Sequence, residues 1–374
     1  MYKILVYGMS TNPGGIESVI INYFRHIDNT KIHFDFIAET PEKIANEEEI
    51  INKGSRVYHI ARRRTNPVKY YLDMKTLFRN KANRYDCFWY NVNSLENIYA
   101  VKMAKKYGIK KIIVHSHNSK NMFKNIGGII KYRIHIFHKN NIFKYATDYW
   151  ACSYEAGKWL FPQRVLDKLV IIKNAINVKG TAYSAEKRRE FREKYNIKSN
   201  FVLGNVGRLH FQKNQIFLLN ILKKIRKDIP NVKLVLVGDG PDKELLQKKV
   251  KEFNLERNIV FCGIQRDMQA CYSGFDLFLF PSLFEGISIA LLEAQANGLP
   301  IIASKNVNPK EIAINGNIIF KDLYSVNDWV NSIKKIYNTH TRLEIDEINN
   351  NFVNSGYAIN IAAKELSDKF LENN

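Results

Sequence analysis

F-P-S-L-F-E-G-I-S-I-A-L-L-E-A-Q-A-N-G-L-P, Phe280 to Pro300, is the stretch on which the fold turns. It continues the apolar run Leu277–Phe280 and ends where a second short apolar run, Pro300–Ala303, begins. Between the two runs, Ile289–Asn297 has the length and composition of a helix. Two strands joined through a helix pair in parallel and need cover on both faces, which is why they read as near-continuous apolar runs. The same unit recurs on either side. Upstream lie Phe201–Val206, Lys233–Val237 and Ile259–Cys262, separated by the amphipathic stretches Gln215–Lys227 and Lys243–Phe253. Further upstream is a first series: Ile4–Tyr7, Phe34–Ile37, Cys87–Asn91, Lys111–Val114, Asp148–Ala151 and Leu169–Ile172, with a helix expected over Glu17–Ile27. The alternation predicts an α/β protein with two Rossmann-like, doubly wound domains facing a central cleft. The polar stretch Asn177–Arg192, which contains Gly180, is expected to be the hinge. Tyr357–Phe370 reads as an amphipathic helix with no strand after it. In such sheets ligands sit beyond the carboxyl ends of the strands, so the informative residues should follow strands.

The 374 residues suit two domains. With 45% apolar and 12% aromatic residues, disorder is excluded. The four cysteines, Cys87, Cys152, Cys262 and Cys271, form no C-x-x-C pair, which argues against a zinc ribbon or disulfide scaffold and for a reducing cytosol. No apolar run approaches the roughly 18–20 residues that cross a bilayer. The opening MYKILVYG reads as a first strand and not as a signal peptide. The net charge is +21 and unevenly placed. Residues 1–180 carry 30 Lys/Arg and 14 Asp/Glu, whereas residues 181–374 carry 27 and 22. From Asn97 to Thr147 there are eleven Lys/Arg and no acid. A uniform solubilising surface would not leave such a block, so an anionic partner is implied: nucleic acid, membrane or a phosphorylated substrate.

Four places can carry chemistry. After the first strand, S-T-N-P-G-G-I-E (Ser10–Glu17) has Gly14 and Gly15, where backbone can approach a ligand and helix N–H groups can meet an anion. An ordinary strand–turn–helix connection explains it equally well. Neither G-x-G-x-x-G nor the P-loop pattern is present. After the fourth strand, H-S-H-N (His115–Asn118) places two imidazoles where they can transfer protons, hydrogen-bond a sugar or simply fill the core. No carboxylate or cysteine nearby offers a third metal ligand. In N-V-G-R-L-H-F-Q-K-N (Asn205–Asn214), Gly207 permits a tight exit from a strand, and Arg208 and Lys213 then flank a helix start. A guanidinium fork, an ammonium and helix N–H groups together suit a diphosphate. In the opening stretch, Glu285 lies in a loop and Glu293 about one and a half turns into the helix, two carboxylates able to grip a polyol.

In their order and spacing, G-G-I-E, H-S-H-N, G-R-L-x-x-x-K-N, L-V-G-D-G-P (Leu236–Pro241), V-F-C-G (Val260–Gly263) and the Glu285/Glu293 pair resemble a family 4 glycosyltransferase, a retaining enzyme of the GT-B fold. The polysaccharide-assembly branch, with exopolysaccharide and capsule enzymes, is the most similar. The resemblance implies an N-terminal acceptor-binding domain over 1–176 with a helix over 357–374 returning to it, and a nucleotide-sugar-binding domain over 177–356. It implies that Arg208 and Lys213 neutralise the donor diphosphate and that Glu293 accepts hydrogen bonds from the ribose. Glu285 and the amides of Ile287, Ser288 and Ile289 would hold the donor sugar and its phosphate. Gly15 would approach the phosphates, His117 would contact the transferred sugar, and Gly263–Ile264 would lie against the base. His115 receives no role. Such hexosyltransferases are typically metal-independent. The chain has no D-x-D motif, and no metal or other cofactor is expected. Retention by front-face attack, the leaving phosphate taking the acceptor's proton, needs no protein nucleophile.

The charge is then read through this layout. The acid-free block falls in the domain expected to bind acceptor, and Phe123–Phe143 mixes Phe, Ile, Tyr and Lys. That composition suits an anionic membrane surface or a lipid pyrophosphate, with Lys120, Lys124, Lys131 and Arg133 as the candidate contacts. The expected partners are a nucleotide-sugar, UDP-linked as the commonest donor with GDP second, and an undecaprenyl-pyrophosphate-linked saccharide. The expected location is cytoplasmic, at the inner face of the plasma membrane. A soluble small-molecule acceptor is the nearest alternative. A nucleic-acid-binding protein would need a recognisable module or stacking platforms beyond the interleaved Phe123, Tyr132, Phe137 and Phe143. A nicotinamide-dependent enzyme is disfavoured by the missing glycine fingerprint and by the lack of an acid at the end of the second strand.

Overall fold

Each apolar run read as a strand is a strand in the computed structural model, which describes residues 1–12, 14–120, 126–307, 309–339 and 341–372. Seven strands, β1 (Tyr2–Met9), β2 (Ile32–Ala38), β3 (Val57–His59), β4 (Cys87–Val92), β5 (Lys111–Ser116), β6 (Asp148–Ala151) and β7 (Leu169–Ile171), form one parallel sheet in the order β3-β2-β1-β4-β5-β6-β7. Six more, β8 (Phe201–Val206), β9 (Val232–Val237), β10 (Ile259–Gly263), β11 (Leu277–Phe280), β12 (Ile301–Ser304) and β13 (Ile318–Lys321), form a second in the order β10-β9-β8-β11-β12-β13. Both sheets are doubly wound, with helices on each face. β4, buried along its whole length, and β11, with Leu277, Phe278, Leu279 and Phe280 at 0% exposure, show why the strands read as continuous apolar runs.

Two strands do not announce themselves in the sequence. β3 and β13 sit at sheet edges, where one side meets solvent, and their residues are only partly buried. V-Y-H is three residues long and I-I-F-K ends on a lysine, so neither makes a distinct apolar run, whereas β7 and β10, also at edges and partly buried, do.

The chain divides into two compact units, Met1–Ala175 with Ile359–Asn374, and Ile176–Ala358. The first is built on Leu5, Phe88, Tyr90, Ile112 and Val114, the second on Leu203, Leu222, Leu234, Leu236 and Leu279. The helix Ile359–Leu371 belongs to the first unit. Its Phe370 ring lies 5.1 Å from Trp150, 5.4 Å from Trp89 and 6.0 Å from Phe34.

The stretch Asn177–Arg192, expected as a hinge, is instead ordered within the second unit as the helices Val178–Thr181 and Ala185–Lys194. Its charges are not solvated linker charges. Arg188 and Arg192 reach the two oxygens of Asp276 at 2.6 and 2.5 Å, and Arg192 Nε donates to the Gly274 carbonyl. Polar composition here marks a buried ion cluster that ties this helix to the strand end before β11.

In each sheet the strand order reverses beside the first strand, at β1/β4 and at β8/β11. Crevices at such switch points are where open α/β sheets bind ligands. The residues singled out in the sequence follow β1, β5, β8, β10 and β11.

Candidate active site

At the β8/β11 switch point the backbone is shaped by close approach. Gly207 leaves β8 at φ +152°, and Gly238, after β9, has φ +129°. A Cβ on Gly238 would lie 2.2 Å from the Gly207 carbonyl oxygen, and one on Gly240 would lie 2.3 Å from that of Leu209. Leu209 N–H donates to Asp239 O at 3.1 Å. The L-V-G-D-G-P stretch is thus the floor on which the Gly207–Leu209 turn rests. Sequence alone showed the motif without this purpose.

Beyond the turn, Lys213 folds back over Gly207, with its Cε 3.2 Å from where a Cβ would be. Its ammonium pairs with Glu285 Oε1 at 2.7 Å and lies 4.9 Å from the Phe280 ring centroid. Both side chains are largely buried, at 16% and 9% exposure. Gln212 Nε2 donates to Phe284 O at 3.0 Å, Leu283 N–H to Gln212 O at 2.8 Å and Asn214 Nδ2 to Pro281 O at 3.3 Å. These bonds stitch the loop after β8 to the loop after β11. Arg208 projects from the same turn with its side chain exposed, and among the described residues it forms no ion pair. One buried, paired ammonium and one exposed guanidinium therefore stand on one loop.

The loop after β11 runs into the helix Ile289–Ala296. Ile287, Ser288 and Ile289 are buried, and Ser288 occupies the N-cap without a side-chain capping bond. The first-turn N–H groups of a helix have no partner within it, so this end offers donors and a partial positive charge to an anion. Glu293, one turn in, is half-buried. Its Oε2 receives a bond from the Tyr272 hydroxyl at 2.9 Å. Desolvation pushes Glu293 from the usual 4.5 up to about 7, against the opposing effect of that bond. Gly263, at φ +65°, ends β10 and accepts from Gly238 N–H at 2.8 Å, and Ile264 beside it is exposed. Lys213 and Glu285 are thus in contact, while Arg208, Gly263–Ile264, the Ile287–Ile289 amides and Glu293 are placed on the loops and helix around them at the same strand ends.

In the first unit, the loop after β1 is closed on itself by Glu17. Its carboxylate accepts from Ser10 Oγ at 2.5 Å and from Gly14 N–H at 3.1 Å. That N–H is therefore already taken. Gly15 is exposed, and a Cβ there would meet nothing within 4 Å. Gly8, unremarked in the sequence, is the tighter glycine: at φ +130° a Cβ would lie 2.8 Å from Asn91 Cβ, where β1 and β4 converge. Asn91 Nδ2 donates to Tyr7 O, which leaves Oδ1 to accept from His117 Nε2 at 2.9 Å. His117 is thereby set with its proton on Nε2, and burial lowers it from 6.5 to about 3. His115 is a core residue: wholly buried, it accepts from Trp89 Nε1 at 3.3 Å and lies 4.1 Å, ring to ring, from His117. Among the described residues no three of His, Cys, Asp and Glu gather to hold a metal ion.

Contrary to expectation, an acid does follow the second strand: Glu39 comes directly after β2, which extends one residue past Ile37 to Ala38. Its carboxylate accepts from Tyr7 Oη at 2.5 Å and from Arg63 N–H at 3.1 Å, beside a cavity of about 280 Å³. The missing glycine fingerprint still stands against a dinucleotide site.

Of the basic candidates in the acid-free block, Lys120 and Arg133 are exposed, Lys131 pairs with Glu96 at 3.3 Å, and Lys124 lies outside the described residues, as does Phe123. Tyr132 stacks toward Trp159 at 6.2 Å and Arg164 lies 4.2 Å over Phe143, so these two rings are engaged by their own neighbours. The helix Ile126–Asn141 leaves Ile129, Ile130, Ile134 and Phe137 exposed, Phe137 at 64%. No described helix is long and apolar enough to cross a membrane.

Comparison with known proteins points to glycosyltransferases. Residues 187–357 match the family model described as glycosyl transferases group 1. Over 304 residues the chain is 28% identical to EpsF of Bacillus subtilis (strain 168), named a glycosyltransferase, covering 80% of this chain and 78% of that protein. Over 212 residues it is 27% identical to the UDP-Gal:alpha-D-GlcNAc-diphosphoundecaprenol alpha-1,3-galactosyltransferase of Escherichia coli, covering 55% of this chain and 54% of that one. Among solved structures, Anabaena HepE in complex with UDP-glucose superposes with a TM-score of 0.80 at 16% identity, covering 99% of this chain and all of that one. The chain is a glycosyltransferase of the GT-B fold, and its second unit carries the group 1 glycosyl transferase segment.

Proposed function

We propose that this enzyme is a family 4 hexosyltransferase that transfers a sugar, with retention, from a UDP-linked donor to a lipid-linked saccharide during surface polysaccharide assembly. The observation that carries the reading is the buried Lys213–Glu285 pair at the β8/β11 switch point, with Arg208 on the same loop and an uncapped helix end beside it. A departing nucleoside diphosphate gathers negative charge, and a preorganised ammonium, a guanidinium and helix N–H groups stabilise that charge where water is excluded. Glu293 then accepts from the ribose hydroxyls, Glu285 and the Ile287–Ile289 amides hold the sugar and its phosphate, and Gly263–Ile264 support the base. In the first unit Gly15 and His117 are the residues that the resemblance assigns to the phosphates and to the transferred sugar. No protein nucleophile and no metal enters: the leaving phosphate accepts the acceptor's proton.

Charge and exposed apolar surface support the choice of acceptor. The galactosyltransferase above is named for a diphosphoundecaprenol substrate, and glycosyltransferase AmsD of Erwinia amylovora, 37% identical over 106 residues, is named for amylovoran biosynthesis; these aligned residues make up 28% of this chain and 29% of AmsD. Here an acid-free block with exposed Ile130, Ile134 and Phe137 suits the anionic inner face of a plasma membrane.

The test is a panel of nucleotide-sugars read by donor hydrolysis, thermal stabilisation and product anomeric configuration. UDP-sugars should stabilise and turn over, with the donor's anomeric configuration retained in the product. Arg208→Ala, Lys213→Ala and Glu285→Ala should each cut turnover by about 100-fold or more. Wild-type rates in all three would sink the assignment. An inverted anomer would overturn retention, and failure to sediment with phosphatidylglycerol vesicles at low salt would overturn the membrane partner.

A further inference from the structure

Tyr272 is a residue that neither the motifs nor the family match singles out. It lies in the helix Met268–Gly274, wholly buried, its ring packed edge-on to Phe275 and Phe278 at 6.1 and 5.7 Å. On its side chain the hydroxyl meets two polar partners, Glu293 Oε2 at 2.9 Å and the Ala290 carbonyl at 3.1 Å. One hydroxyl hydrogen can serve one acceptor at a time. An ionised carboxylate takes it, since a charge-assisted bond is the stronger.

We propose that Tyr272 is a positioning residue for donor binding: its phenol holds Glu293 aimed and ionised, so that both carboxylate oxygens accept from a vicinal diol. The inference rests on the reading of Glu293 as the ribose contact. A diol donates two hydrogen bonds, and a protonated carboxyl would oppose one of them with its own O–H. In this desolvated pocket the carboxyl is otherwise poised to be neutral near pH 7, which makes a single donated bond decisive.

The groups that face Glu293 are few. Tyr272 supplies the hydrogen bond, and Cys271 lies next to it on the same helix, its thiol pushed up by burial and therefore uncharged. The helices packed against Ile289–Ala296, Val178–Thr181 and Ile345–Asn354, bring Lys179, Asp346 and Glu347. All three are exposed, and none acts on the Glu293 carboxyl.

The experiment measures UDP and GDP affinity of the full chain by calorimetry from pH 6 to 9, after a melting curve for each variant. Tyr272→Phe removes one oxygen and keeps the ring. It should weaken binding roughly fivefold at pH 7, move the pH midpoint up by about one unit and approach wild-type affinity at pH 9. Glu293→Gln should abolish the pH midpoint, and Tyr272→Phe added to it should change nothing more. Glu293→Asp, which draws the carboxylate back from the phenol without touching the aromatic packing, should also move the midpoint up, and it carries the test if Tyr272→Phe does not fold. An unmoved midpoint in these variants, or additive losses in the double variant, overturns the role of Tyr272. A wild-type chain that binds neither nucleotide overturns the donor-site reading itself and the inference with it.

Discussion

Lys213 and Glu285 are a buried pair whose members are worth more together than apart. Removing one partner strands the other's charge, at a cost of about 3–5 kcal/mol, while replacing both with apolar groups of similar size is often neutral. Lys213→Met should therefore lower the melting temperature strongly, Lys213→Met with Glu285→Leu should recover most of it, and neither should regain turnover. Melting curves beside donor hydrolysis separate the two effects. Glu293 makes the opposite trade. Its folded pKa, about 7, lies above the unfolded value, so the fold opposes its ionisation. The destabilisation is absent below the unfolded value near 4.5, grows as pH rises toward 7 and is constant above that. Glu293→Gln should accordingly stabilise the protein at pH 8, on the order of 1 kcal/mol after allowing for its remaining solvent access, and little at pH 5. A gain that does not grow between these pH values would contradict that picture. For His117 the sign reverses. Its folded value, about 3, lies below the unfolded 6.5, so its neutral form contributes stability present above 6.5 and lost as pH falls toward 3. Replacing His117 by Asn should flatten the fall of unfolding free energy between pH 6 and 4 by about 1.4 kcal/mol per pH unit. Chemical denaturation across that range reads it directly.

The loops after β8, β9 and β11 act as one piece because their backbones touch. The glycines of L-V-G-D-G-P were legible as turn residues. Their purpose was not, since nothing local reveals that Gly238 lies against Gly207 or Gly240 against Leu209. Gly238→Ala combines a positive φ with a Cβ 2.2 Å from a carbonyl oxygen and should cost roughly 2–4 kcal/mol. It should also lower turnover at temperatures where the variant is still folded, because Arg208 moves with the displaced turn. A folded variant with wild-type turnover would show that the turn does not position Arg208. Asp276 shows the same non-local logic. The charges of Asn177–Arg192 suggest a linker until Arg188 and Arg192 are seen to converge on one carboxylate from 84 to 88 residues away in sequence.

The +21 charge divides into parts with different physical settings. Lys213 is a largely buried cation at a strand end. Lys120, Lys131 and Arg133 are surface cations on and beside a helix that exposes Ile129, Ile130, Ile134 and Phe137. Apolar side chains inserted into a bilayer are worth about 1.5–3 kcal/mol each when fully buried, and each nearby cation about 1 kcal/mol at low salt. Ile130→Asn with Phe137→Ser should therefore reduce sedimentation with phosphatidylglycerol vesicles at least fivefold while leaving the melting temperature within a degree or two, because both side chains already face solvent. Equal sedimentation of the double variant would mean that this helix face does not meet the membrane.

Strand–helix alternation made two parallel sheets readable from the residues alone, because strands buried on both faces must be apolar along their length and strand ends must then carry the polar chemistry. Arg208, Lys213, Glu285 and Glu293 were legible for the same reason: they interrupt or follow such runs. The short strands β3 and β13 were not, since V-Y-H and I-I-F-K make no distinct apolar run, and neither was Tyr272, whose hydroxyl is indistinguishable in sequence from that of any core tyrosine. Which carboxylate pairs with which cation, which imidazole is core and which is oriented by Asn91, and which glycine permits contact between loops are settled by three-dimensional proximity. Those relations join residues dozens of positions apart, and no local pattern of hydrophobicity or turn preference encodes them.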